Sequence, residues 1–143
     1  MIRKYRLKKK LPINKLLTLV KTLPEISSNT FYWNGIGKQY FVSEFPQIFP
    51  YQENILACIP DNLYKPNLEI QVLSCVGTID SHKDKVSKRC ILIPIKCSKN
   101  TFLWEEDKEV ILELNTLYTF NDFNYHGLVT QHTKAKTIFI GVS

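Results

Sequence analysis

The chain has 143 residues, 44% of them apolar and 22% charged, with only five glycines. That composition excludes a fibre, a linker or a wholly disordered chain, and it suffices for one packed core. No apolar run approaches the ~20 residues that a membrane-spanning helix needs, and the basic N-terminal residues lead into no apolar stretch of the kind a secretory leader carries. The formal charge of +6 is unevenly placed: Arg3, Lys4, Arg6, Lys8, Lys9 and Lys10 hold six of the nineteen basic residues, leaving thirteen basic against thirteen acidic residues elsewhere. A neutral body behind a basic leader reads as a single domain over residues 11–143 preceded by a solvated, partly mobile arm over residues 1–10. Such an arm also suits an anionic partner such as a nucleic acid. Nucleic-acid-binding domains, however, usually spread their basic residues over a face.

In chain order, Pro12 opens a helical pattern in which Ile13, Leu16, Leu17 and Val20 recur at helix spacing, with Lys15 and Lys21 outside and Pro24 closing it. From Thr30 onward, short runs rich in Val, Ile, Phe, Tyr and Thr alternate with turn residues, as in an antiparallel sheet protein. The predicted strands cover residues 31–33, 39–42, 68–75, 90–97, 101–103, 109–114, 117–120, 126–130 and 136–142. Between them lie Asn34-Gly35, Ser98-Lys99-Asn100 and residues 121–124, all with turn chemistry. Residues 43–67, with Pro46, Pro50, Pro60 and Pro66, read as irregular with room for a short helix. So many short strands in a small chain predict a sandwich or barrel, of which the double-sheet jelly roll is one form.

Cys58, Cys75, Cys90 and Cys97 make no CxxC pair and no zinc spacing. They read as free, buried thiols that pack as small hydrophobes, which favours a reducing compartment and a cytoplasmic location.

The chemistry rests on three histidines, His82, His126 and His132. Asp84 follows His82 by two positions, and on an extended backbone side chains two apart project to the same side. His126 opens a late strand that can reach the same point from the facing sheet. Two imidazoles and one carboxylate on one face of an octahedral metal leave three positions open, which suits non-haem Fe(II). The bland alternative for His82 is a surface histidine between lysines in a turn. His132 reads as exposed, and Glu105-Glu106-Asp107 as a solvated turn. Tyr118 and Phe120 read as core residues.

The flanking residues add to this. Residues 77–84, Gly-Thr-Ile-Asp-Ser-His-Lys-Asp, have the form G-x-I-x-x-H-x-D, and a strand follows from Arg89. Downstream come Tyr118-Thr119-Phe120-Asn121, then His126, then Lys136 ten residues later. Together these residues resemble the Fe(II)- and 2-oxoglutarate-dependent oxygenases, nearest to the small hydroxylases related to prolyl and aspartyl/asparaginyl hydroxylases. The resemblance covers roughly residues 68–142. It implies a mainly β, double-stranded β-helix fold (jelly-roll, cupin-like) with an N-terminal helix. It also implies His82, Asp84 and His126 as iron ligands and Lys136 as the partner of the far carboxylate of 2-oxoglutarate. Lys134 is the rival for that role. Many aspartyl hydroxylase relatives carry arginine there, whose planar fork grips a carboxylate at two points, whereas lysine is a point charge.

Lys136 shares its strand face with Ile138 and Ile140, a position where a charge needs a partner. The bland alternative is a solvated lysine at a strand end. Arg89 stands where family members often place a basic residue contacting cosubstrate or substrate, or else in a surface ion pair. The implied activity is hydroxylation of a C–H bond, first of a peptidyl proline or aspartate/asparagine, with a small molecule as the other substrate class and succinate and CO2 as coproducts. Two other classes stand beside it: a jelly roll that binds metal or ligand without turnover or serves a structural role, and a small nucleic-acid-binding β domain using the basic arm.

Overall fold

A computed structural model describes residues 1–23, 37–41, 49–84 and 87–143. Among these, β1 (Arg3–Arg6), α1 (Ile13–Thr22), β2 (Gly37–Phe41) and α2 (Phe49–Ala57) come first. They are followed by β3 (Ile70–Val76), β4 (Ile79–His82), β5 (Cys90–Lys96) and β6 (Phe102–Glu105). The chain closes with β7 (Lys108–Ile111), β8 (Thr116–Phe120), β9 (His126–Val129) and β10 (Lys136–Val142). The strands form two antiparallel sheets: a six-stranded one in the order β1-β8-β5-β10-β3-β2 and a four-stranded one in the order β4-β9-β6-β7. This is the double-stranded β-helix, mainly β with few helices.

Two apolar clusters explain why the strands read as they do. On one face of the six-stranded sheet, Leu16 and Val20 of α1 and Ile55 of α2 pack with Val72, Ile93 and Ile140. On its other face, Leu92, Tyr118 and Phe139 meet Ile79, Leu103 and Leu128 of the four-stranded sheet. Strand β5 lies inside the sheet with both faces covered, and its Cys-Ile-Leu-Ile-Pro-Ile run is accordingly apolar without alternation. Pro94 has no N–H to give the ladder, and it sits where the β10 register slips between Ile138 and Phe139, the kind of irregularity that tolerates proline.

The basic leader departs from expectation. Arg3–Arg6 is an edge strand in register with Thr116–Thr119 of β8, so its backbone is part of the sheet. The Lys4 ammonium donates to Glu113 at 2.7 Å, and Lys8 to Asp61 at 2.6 Å. Ile2 and Leu11 on either side are buried. Basic side chains on an outer strand discourage edge-to-edge pairing with other chains, and their charge hides the strand from a hydrophobicity pattern. Strand β4 also escapes that pattern, being only Ile-Asp-Ser-His. The predicted strand over 31–33 lies outside the described residues, as does residue 42 at the end of the one predicted over 39–42.

Gly77 links β3 in one sheet to β4 in the other. It adopts φ 82°, a left-handed conformation that glycine takes without a Cβ penalty. Its N–H donates to the Ala135 carbonyl at 2.8 Å, tying the crossing to the start of β10.

Candidate metal centre

His82 and His126 are cross-strand partners at the ends of β4 and β9. They therefore meet within one sheet, not across two as expected from sequence. The register between these strands takes three steps on β4, from Ile79 to His82, against two on β9, from Leu128 to His126. That extra residue is a bulge, and it turns His82 to the side of the sheet that His126 faces. The imidazole centroids lie 4.3 Å apart. Asp84 comes after the end of β4, and its backbone N–H donates to the Asp122 carbonyl at 3.0 Å.

One Asp84 carboxylate oxygen lies 3.3 Å from His82 Nε2 and 3.1 Å from His126 Nε2. The three ligand atoms all lie within 4.8 Å of one another. The His82 and His126 side chains are 9% and 5% exposed and that of Asp84 is 42% exposed. His82 Nδ1 donates to the Asp80 carbonyl at 2.6 Å, and His126 Nδ1 to the Asn124 carbonyl at 2.9 Å. A carbonyl only accepts, so each Nδ1 donates its proton there, and Nε2 is the atom each ring turns toward Asp84. Two imidazole nitrogens and a carboxylate oxygen then converge on one small volume, the arrangement that the ligands of one metal ion take. Carbonyl partners that fix the far nitrogen in this way are what metal-binding histidines use.

The electrostatics agree. Burial works to lower the pKa of His82, but hydrogen bonding to Asp84 and to the Asp80 carbonyl outweighs it, and the net shift is upward from 6.5. Burial alone would raise Asp84, yet hydrogen bonds from His126 and His82 hold its carboxyl well below the usual range.

Other residues position this cluster. Asp122 is buried, and its carboxylate accepts the Ser87 N–H at 2.9 Å and the Cys90 thiol at 3.1 Å, while its carbonyl anchors Asp84. In sequence, Asp122 is one polar residue in a turn, and nothing there distinguishes it from its neighbours. The Phe120 ring lies 5.0 Å from that of His126, so Phe120 walls the site as well as packing. Glu105 differs from the solvated turn expected of it. It is buried and accepts the Asn121 N–H at 2.6 Å, whereas Glu106 and Asp107 are exposed as expected. His132 is exposed. Cys58 and Cys75 are buried and Cys90 and Cys97 half-buried, all four of them free. Burial pushes the Cys75 thiol up to about 12.

The triad opens on a cavity of about 490 Å³ between the sheets. Lys136, Lys134 and Arg89 are exposed and are not among its lining residues. The reason lies in strand parity. Strand β10 keeps an unbroken register with β3, so Lys136 falls on the face of Ile138 and Ile140, and that face packs against the helices. Phe139 and Gly141, on the other face, line the cavity, joined at the end of the strand by Val142 and Ser143. Lys136 is therefore a strand-end lysine in solvent. The donor set fits a divalent metal. The far carboxylate of 2-oxoglutarate finds no lysine or arginine among the described lining residues.

No family model matches the sequence, and no curated protein matches it. Solved structures do. HygX from Streptomyces hygroscopicus, solved with nickel and 2-oxoglutarate bound, matches 99% of this chain and 81% of its own at 8% identity, with a TM-score of 0.67. A prolyl hydroxylase from Trichoplax adhaerens, in complex with a hypoxia inducible factor peptide fragment, matches 99% of this chain and 82% of its own at 12% identity, with a TM-score of 0.60. A prolyl-4-hydroxylase from Pseudomonas putida matches 99% and 90% at 9% identity, with a TM-score of 0.58. The fold is that of the 2-oxoglutarate- and Fe(II)-dependent oxygenases. Among the described residues, no helix is long and apolar enough to cross a membrane.

Proposed function

We propose that this chain is an Fe(II)-dependent oxygenase that hydroxylates a C–H bond with a 2-oxo acid as cosubstrate, and that His82, Asp84 and His126 hold the iron. The observation that supports this reading is the convergence of two Nε2 atoms and one carboxylate oxygen within 4.8 Å. The fold shared with HygX and the prolyl hydroxylases adds to it. Iron held by these residues would supply the coupling of dioxygen to oxidative decarboxylation, in which a C–H bond, O2 and a 2-oxo acid give an alcohol, CO2 and the acid one carbon shorter, which is succinate where the oxo acid is 2-oxoglutarate.

The chain's own residues prepare that chemistry. The carbonyls of Asp80 and Asn124 keep both imidazoles in the tautomer that offers Nε2. Asp84 supplies the one anionic ligand, so the site stays net positive with a divalent ion in place. Phe120 and the apolar core behind it limit water around the reacting centre. The first substrate class is a peptidyl proline or aspartate/asparagine. A prolyl hydroxylase of this fold is in complex with a peptide fragment, and here the exposed Phe123 and Tyr125 flank Asn124 beside the site, where an extended peptide can lie. Four free thiols suit a reducing compartment, and the cytoplasm is our assignment.

Anaerobic equilibrium dialysis against Fe(II), followed by measurement of O2-dependent CO2 release from a 2-oxo acid, tests the reading. Wild type should bind one iron and release CO2, while His82→Ala and Asp84→Ala should keep their circular dichroism and lose both. Variants that bind iron as wild type does would remove the triad from the metal site. Iron binding with no CO2 release from any 2-oxo acid would leave a metal-binding jelly roll without turnover.

A further inference from the structure

The cavity behind the triad is lined by His82, Asp84 and His126, by two further carboxylates, Glu69 and Asp122, and by the neutral polar side chains of Gln71 and Ser143. Most of its other lining is apolar and comes from the core between the sheets, Leu73, Leu92, Leu103 and Phe139 among it. No lysine or arginine is among the described lining residues, and parity turns Lys136 toward the opposite face of the sheet.

A 2-oxo acid held by a metal at the triad would offer that metal its first carboxylate and keto oxygen, which would leave its other end to the cavity. A second carboxylate there would find no cation among the described lining residues, only the neutral polar side chains of Gln71 and Ser143 amid hydrocarbon and two further carboxylates, and an anion without a counter-charge in such surroundings is strongly disfavoured. An aliphatic end would instead bury its surface against the leucines and Phe139. We propose that the cosubstrate of this chain is a 2-oxo monocarboxylic acid with an apolar tail, not a dicarboxylic one. This rests on the oxygenase reading above and narrows it to a class of cosubstrate.

The test uses the full chain loaded anaerobically with Fe(II). The visible band of an iron–2-oxo acid complex is titrated with 4-methyl-2-oxopentanoate, with 2-oxoglutarate and with pyruvate, which has the metal-binding head and almost no tail. The expected order places 4-methyl-2-oxopentanoate roughly tenfold or more tighter than 2-oxoglutarate, and tighter than pyruvate by the burial of its tail. Leu73 is only half-buried, so it tolerates substitution. Leu73→Ala should narrow the gap between 4-methyl-2-oxopentanoate and pyruvate, and Leu73→Arg should shift preference toward 2-oxoglutarate. Binding of 2-oxoglutarate as tight as or tighter than that of 4-methyl-2-oxopentanoate overturns the proposal and leaves the oxygenase reading standing. A band with none of the three acids, on protein shown to hold iron, overturns the oxygenase reading and this proposal with it.

Discussion

Asp84 is the residue on which both histidines depend, and its position gives the metal-free protein a defined response to pH. Its carboxyl is held below the ordinary value of 3.8 and the His82 imidazole above 6.5. A lowered carboxyl stabilises the fold above its unfolded pKa and loses that contribution as pH falls through the folded one. A raised imidazole stabilises it below the unfolded pKa and loses that contribution as pH rises through the folded one. Together they support the metal-free fold most between about pH 4 and pH 6.5. Thermal melts across pH 3–9 in chelator should show this window, and Asp84→Asn should flatten it; an identical pH profile in the variant would mean the cluster does not stabilise the fold. Thr137 makes a separate case. Its buried hydroxyl has no hydrogen-bond partner among the described residues, and by parity it shares the face of β10 that carries Phe139. Thr137→Val keeps the shape and removes the unpaired polar atom, so it should stabilise the protein by about 1 kcal/mol in urea unfolding. A loss of similar size would show that the hydroxyl is satisfied after all.

Strand pairing decides whether these residues meet, and Gly127 is where β4 and β6 close in on β9. A Cβ there would lie 2.7 Å from the Ile79 carbonyl oxygen of β4 and 2.8 Å from Trp104 Nε1 of β6. The indole can turn aside but the β4 backbone cannot move without carrying His82 with it. Gly127→Ala should therefore cost about 1–3 kcal/mol in stability and also weaken metal binding, as read by denaturation and equilibrium dialysis on the same preparation. Unchanged metal affinity at reduced stability would separate the two strands' packing from the site. This dependence on pairing also marks what sequence can and cannot show. The helix at residues 13–22 and most of the later strands were legible, because apolar spacing reports burial directly. His82, Asp84 and His126 were legible as residue types in a suggestive order. The bulge that aims His82 was not, since one extra residue in a four-residue strand leaves no trace in composition. Lys136 shows the same limit from the other side: its parity with Ile138 and Ile140 is real, but sequence does not say which face of β10 looks into the cavity. In sequence, Arg3–Arg6 looks like part of a solvated arm, because charge on an edge strand looks like charge on a tail.

At the scale of the whole molecule, the site draws on both sheets: His82 and His126 stand on the four-stranded sheet, while the Asp122 carbonyl that anchors Asp84 comes just after β8 of the six-stranded one. The unfolded chain has no such arrangement, so a metal that binds here stabilises the fold by linkage. At a free concentration a hundredfold above Kd that amounts to about 2.7 kcal/mol, which for a chain of this size corresponds to a rise in Tm of roughly 10 °C. The complication is that unfolded histidines and thiols also bind metals and diminish the effect, and this chain has four free cysteines. Mn(II) avoids most of that, because it prefers oxygen and nitrogen donors to thiolate and does not oxidise as Fe(II) does. Wild type in Mn(II) should melt well above wild type in chelator. The double variant His82→Ala/His126→Ala retains every cysteine and His132, so any shift it shows measures binding outside the triad. A shift confined to wild type would make metal binding a property of the folded arrangement. Equal shifts in both proteins would place the metal elsewhere and leave the triad as a proton-sharing cluster.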